Sequence, residues 1–342
     1  MNPYTSQPDR AYWKRGVGTV HYSKLFDMWQ PITLSRSDRI ATAGSCFAQH
    51  IGNNLARRGA SYMDMEPAPI DFADEAEARR WGFGVFSCRY GNVYTSRQLI
   101  QLFHEAHGNR TPLDAVWERN GRFFDALRPG IDPVGQASPE EVTALRQRHL
   151  AAVRKMFAEL DLFVFTMGLT EGWEHRVDGT MYPMAPGTVA GEYDPQKHVF
   201  RNLRYGEVMA DMTEFWSALR AVNLSARMLL TVSPVPLAAT ATDNHVMVAT
   251  SYSKSVLRAV AGDLVAELDG VSYFPSYEII SSHPARGMYF EPDLRNVSQY
   301  GVDYVMSHFF SGPMATEFAQ GEAEPEPAEE LELICDESKL DA

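Results

Sequence analysis

Residues 44–48 read Gly-Ser-Cys-Phe-Ala, which sets two nucleophiles side by side, the Ser45 hydroxyl and the Cys46 thiol. A thiol needs less help from a base than a hydroxyl, and it is activated further by positive potential at a helix start. Covalent catalysis would also require a proton carrier. The ten histidines supply candidates in His50, His198, His245 and His283. His50 follows Cys46 by four residues, one turn along the same helix face. Glu171 is a carboxylate at the end of an apolar run, placed to orient a base or to hold a polar substrate. No Cys-x-x-Cys, His-Glu-x-x-His or phosphate-binding glycine loop occurs, and no metal site is expected.

These groups need a scaffold. The apolar run Ile40–Ala43 reads as a buried strand. Gly44 ends it, and a helix follows with Phe47, Ile51 and Leu55 on one face and Gly59 as its stop. Ser45 and Cys46 therefore fall at a strand-to-helix turn, where open α/β sheets bind ligands and where the helix dipole favours a thiolate or an oxyanion. Further strands are expected at Leu160–Met167, Met228–Val232 and Val271–Phe274. Helices are expected at Ser96–Ala106, Pro139–Glu159, Tyr205–Val222, Tyr252–Leu268 and Ser298–Phe310. Ser138 and Glu141 give the Pro139 helix a capping box. Strands alternating with helices predict an α/β fold, a three-layer αβα sandwich with a mostly parallel, flavodoxin-like sheet. Residues 60–95 and 170–204 lack periodicity and are expected to wall the site as long loops. Ser253 is expected to cap the helix from Tyr252. Arg89 and Lys254 are candidates to hold an anionic group, with surface roles weighing equally.

The chain has 342 residues, 45% of them hydrophobic, which is ample for one large core. The net charge of -13 argues against nucleic acid as a partner, because phosphate binding needs clustered Lys and Arg. No apolar run is long enough for a membrane span and the first residues lack a signal-peptide core, so a cytoplasmic protein is expected. Three cysteines do not suggest a disulfide framework. The expected organisation is an N-terminal extension packing on the core (1–38), a catalytic domain (39–312) and an acidic, disordered tail (313–342).

The Gly44–Ala48 block resembles the signature of the GSCFA family of bacterial proteins, distant relatives of the SGNH (GDSL-type) esterases and acyltransferases. Arg89–Tyr94, Gly168–Trp173, Ser233–Pro236, Tyr252–Ser255 and Tyr273–Glu278 resemble further blocks of the same family. The resemblance implies the same three-layer fold. It places Cys46 where the esterases carry their nucleophilic serine, with Ser45 as the alternative and Gly44 at the turn. It implies an oxyanion hole from Gly91, Asn92 and the block beginning at Gly168, where Thr170 replaces the usual Asn. Trp173 closes that block. The last esterase block, Asp-x-x-His, is here Asp293 to Asn296, and Asn cannot take a proton. His198, in a recurring family element, and His283, ten residues before Asp293, are then the leading bases.

Two functions follow from the resemblance. The first is an esterase or O-acyltransferase working through an acyl-Cys46 intermediate on a small acyl ester or saccharide, with no cofactor beyond acyl-CoA as a possible donor. The aromatic loops (Trp81, Phe83, Phe86, Tyr90, Tyr94, Trp173, Tyr182) suit sugar stacking. The second is a catalytically degenerate carbohydrate-binding or scaffolding protein, to which the missing histidine points.

Overall fold

The computed structural model describes residues 2–70, 72, 74–318, 336 and 340. The strands are β1 (Ile40–Gly44), β2 (Val116–Arg119), β3 (Arg122–Asp125), β4 (Leu162–Met167), β5 (Glu171–His175), β6 (Met181–Tyr182), β7 (His198–Asn202), β8 (Arg227–Val232) and β9 (Val271–Tyr273). The helices are α1 (Ala48–Arg57), α2 (Glu75–Arg80), α3 (Ser96–Ala106), α4 (Pro139–Glu159), α5 (Tyr205–Val222), α6 (Val246–Glu267), α7 (Ser276–Ser281), α8 (Gln299–Phe309) and α9 (Pro313–Glu317).

The central sheet runs β1-β4-β8-β9, every pair parallel. Tyr62 adds one parallel bridge to Ile40 on the free side of β1. The chain thus leaves β1 toward one side of the sheet and later places β4 on the other. That reversal of strand order makes the β1–β4 junction the topological switch point, where such sheets bind ligands.

Both faces of this sheet are covered, so β1, β4 and β8 are buried along almost their whole length and mostly apolar rather than alternating. Leu162, Val164 and Leu229 face a layer in which Phe47, just before α1, and Ile51 and Leu55 of α1 meet Val302, Val305 and Phe309 of α8. Phe163, Phe165, Met167 and Leu230 face the opposite layer, with Phe103 of α3, Phe157 of α4, Phe215 of α5 and Leu257 of α6. This is the expected three-layer α/β architecture. The helices at 96–106, 139–159 and 205–222 match the sequence reading. Ser138 caps α4 by accepting from the Glu141 N–H. The Glu141 carboxylate accepts from Ala137 N, one residue upstream of the capping-box position.

Four regions differ from expectation. Residues 171–202 form a three-stranded antiparallel sheet, β6-β5-β7, and 116–125 form a hairpin. Helix α6 starts at Val246, six residues before the expected Tyr252, because His245 Nδ1 accepts from the Met247 N–H. At the C-terminus order continues past 313, since Met314 and Phe318 are buried in the α1–α8 layer. The rest of the expected disordered tail, apart from 336 and 340, lies outside the described residues. Among the described residues no helix is long and apolar enough to cross a membrane.

The hairpin is fixed to the body by buried charge. Arg146 of α4 bridges Glu105 of α3 at 2.5 Å and Asp125 of β3 at 3.0 Å, and Arg128 also pairs with Asp125. Loss of one partner from such a network leaves an uncompensated buried charge. Beside it, His149 pairs with Glu66 at 2.6 Å.

Burial holds three imidazoles neutral. His50, His149 and His308 are each pulled down to about 4, aided by Arg79 for His50 and by Arg128 for His149. Between pH 6.5 and pH 4 the unfolded chain binds protons at these rings that the folded protein refuses, so folding stability falls as the pH drops through that window. Equilibrium urea unfolding should show a midpoint that declines steadily across the window, and the decline should shrink in His149→Gln. A midpoint that stays flat would contradict neutral burial.

Candidate active site

The turn at the end of β1 depends on a missing atom. Gly44 has φ +143°, and a Cβ there would lie 2.3 Å from Thr166 O on the neighbouring strand. Only glycine allows β1 and β4 to converge this closely and still release the chain into Ser45, whose N–H donates to Thr166 O. Gly168, at the end of β4, is crowded in the same way: its Cβ would stand 3.0 Å from Tyr94 O and 3.2 Å from Ser45 Cβ.

Around this junction lies a small cavity of about 10 Å³, room for one water. Ser45 and Cys46 line it from the end of β1, Gly168 and Leu169 from the end of β4, and Ser233 and Val235 from the end of β8. Tyr94, Leu237 and Lys254 complete it. The carboxyl ends of three parallel strands thus converge on the two nucleophiles, as the switch-point rule requires. Ser45 Oγ is buried and has no hydrogen-bond partner in the structure. Cys46 and Cys88 are both buried, and neither is in a disulfide.

Lys254 is the residue the sequence reading misplaced. It is 1% exposed and its Nζ donates to Gly168 O at 2.6 Å. A helix starting at Tyr252 would leave it on a frayed first turn. The true start at Val246 puts it three turns from the end of a buried stripe with Leu257 and Ala261. A lysine three and seven residues before apolar positions was the available signal. Ser253, expected as a cap, sits inside the same helix and accepts from the Thr170 N–H at 3.0 Å. Arg89, the other candidate for an anion, is spent on Trp81 O and on the face of Phe83.

Most of the other expected site residues point elsewhere. Asn92 follows Gly91 but does not line the cavity, and its Nδ2 donates to Asp336 Oδ2 at 2.9 Å. The Thr170 hydroxyl donates to Asn202 Oδ1 at 2.7 Å, which commits its one proton. Trp173 packs edge-on against Tyr193 and Phe200 within the β5–β7 sheet. His198 pairs with His175, four residues along β7 from the Asn202–Glu171 pair, roughly 13 Å from the strand end nearest the cavity. It accepts from Asp194 N there, and burial lowers its pKa. His283 is exposed and stacks on Trp13 at 5.2 Å. Asp293 and Asn296 are exposed and bond to each other in one surface turn, where Asp293 accepts from the N–H groups of Arg295 and Asn296. His50 packs edge-on against Phe47 on α1 and does not line the cavity. His245 is spent as the cap of α6.

Glu171 has a different use from the one expected. Its Oε1 accepts from Thr240 Oγ1 at 2.8 Å and its Oε2 from Ala241 N at 3.3 Å. Burial pushes its carboxyl up, against those two hydrogen bonds. Thr240 and Ala241 belong to the irregular segment between β8 and α6, the segment that carries Val235 and Leu237 over the cavity. Glu171 therefore latches the roof. Among the described residues no cluster of His, Cys, Asp and Glu is placed to hold a metal ion.

Gly44→Ala should destabilise the fold by about 3 kcal/mol, from strained φ and the clash with Thr166. Gly206→Ala, at a helical position with open space around it, should be neutral or slightly stabilising. Urea unfolding of both variants checks this, and equal midpoints would show that the β1–β4 junction does not need glycine.

No curated protein matches the chain. The model of the GSCFA family matches residues 39–309, from the strand that delivers Ser45 and Cys46 to the end of the helix that covers it, and the chain belongs to that family.

Proposed function

We propose that the protein is an acyl-transfer enzyme of SGNH-like type, an esterase or O-acyltransferase that works through an acyl-Cys46 intermediate. The observation that carries this reading is the meeting of Cys46, Ser45 and the buried Lys254 around one cavity at the switch point. Lys254 takes the part first assigned to a histidine, as in Ser–Lys catalytic pairs on other folds.

In the proposed reaction the Cys46 Sγ–H gives its proton to the Lys254 amine, and the thiolate attacks the acyl carbonyl carbon. The carbonyl π electrons move to oxygen. The positive end of α1 and the Lys254 ammonium stabilise that oxyanion. Collapse breaks the bond to the donor's leaving group, which takes the proton from Lys254. Water or a saccharide hydroxyl then attacks the thioester by the same steps in reverse. A cytoplasmic setting would make acyl-CoA available as donor. Substrate entry requires the Val235–Leu237 roof to lift, which places Glu171 and Thr240 in control of access.

A second reading, a non-catalytic carbohydrate-binding or scaffolding member of the family, draws on the polar groups expected in the oxyanion hole. Asn92 is engaged by Asp336 and Thr170 by Asn202.

Intact-mass measurement after incubation with acetyl-CoA and small acyl esters separates the two. A stable acyl adduct is expected in wild type and in Ser45→Ala, and none in Cys46→Ala. Lys254→Met should slow adduct formation about 100-fold. An adduct lost only in Ser45→Ala would move the nucleophile to the hydroxyl. No adduct in any sample, with Cys46 slow to alkylate, would favour the binding module.

A further inference from the structure

A second, much larger cavity lies between the N-terminal extension and the α7–α8 layer. It measures about 750 Å³, within the range of small-molecule sites and far above the single-water space at the nucleophiles. The extension is held over it by two long-range hydrogen bonds, Trp29 Nε1 to His308 O at 2.8 Å and Tyr304 OH to Tyr22 O at 2.9 Å. Six rings line the cavity: Trp13, Tyr22, Phe26, Trp29, Tyr289 and Tyr304. Trp13 and Phe26 are 63% and 61% exposed, so two large apolar side chains gain little from the fold as it stands.

Charge narrows the ligand. The charged side chains of the lining are compensated locally. Arg10 pairs with Asp27 at 2.9 Å, and Glu278 accepts from Arg258 Nε and from the Tyr273 hydroxyl. An ionic ligand would find no counter-charge to spare there, whereas a neutral apolar one would lose nothing. The cavity floor is formed by Ile279, Ala285 and Tyr289, which belong to the apolar layer of α1, α7 and α8. The other face of the sheet, with α3 to α6, contributes nothing to it.

We infer that this cavity is a binding site for an uncharged, apolar acyl chain, held beneath Trp13 and Phe26. In the acyl-transfer reading, on which this use of the site rests, such a chain would belong to the acyl donor or acceptor. The binding itself can be read without any chemistry.

The test is tryptophan quenching by methyl dibromododecanoate, a neutral chain whose bromines quench only at short range, added to the full-length protein. Trp13 and Trp29 are the reporters in the lining. Saturable quenching is expected in wild type and equally in Cys46→Ala. Affinity should fall about tenfold or more in Ala285→Phe, which fills the floor, and in Phe26→Asp, which sets a charge in the lining. Phe26 is exposed, so the second variant keeps its fold if the first does not. Quenching without saturation, or unchanged in Phe26→Asp, overturns the inference. Displacement of the ester by maltotriose would overturn it too, in favour of a saccharide site. Saturable binding with no covalent adduct in wild type would uphold the cavity and sink the acyl-transfer reading. An acetyl adduct on Cys46 without quenching would do the reverse.

Discussion

A β-carbon on Gly44 would stand 2.3 Å from the Thr166 carbonyl oxygen, and the candidate site follows from its absence. Without that atom β1 and β4 run in register to the sheet edge, Gly44 opposite Thr166. The next residues then turn outward into α1. Because the strand order reverses at this pair, the crevice beyond it is open to side chains from every layer. Ser45 and Cys46 enter it from below, Ser233 and Val235 from β8, and Lys254 from the helix layer on the opposite face. A larger residue at position 44 would separate the strands and with them the elements that carry these groups.

The walls are held by polar interactions placed where apolar packing alone would leave loops unfixed. The Arg146–Asp125–Arg128 and Arg146–Glu105 pairs tie the hairpin to α3 and α4. Glu171 grips the 240–241 backbone and side chain. Asn92 holds Asp336, which is 4% exposed. Gly130 permits that contact, since a Cβ there would meet Asp336 Oδ1 at 2.1 Å. Buried polar groups of this kind are costly unless satisfied, and once satisfied they specify one arrangement. Several residues that resembled catalytic ones do this positional work instead.

The two faces of the sheet divide the chemistry. Lys254 reaches the cavity from α6, on the side of the aromatic core of Phe103, Phe157 and Phe215. Cys46 belongs to the layer of α1 and α8, continuous with the floor of the large aromatic cavity. A turn at the end of a buried strand can gather groups from both layers, because its residues see both.

The sequence by itself determined the parallel strands, three helices to the residue, and the meeting of a glycine turn with two nucleophiles. These features are written in local patterns: unbroken apolar runs, helical periodicity, caps and a stop glycine. It did not place Lys254 beside that turn or the 235–237 segment over it. His198, His283, Asp293 and Asn296 carry the right chemistry in the wrong places, as sequence distance does not report whether a strand end or a surface turn faces the site. Lys254 was hidden by a helix start shifted six residues, which set it on the first turn instead of inside the buried stripe with Leu257 and Ala261. The aromatic segment at 170–204 read as loop because its strands are short and partly exposed, and their pairing is set by long-range register. Only the tertiary structure decided which side chains share the cavity, since that depends on strand order and on the close approach of β1 to β4, neither of which leaves a local signature in the chain.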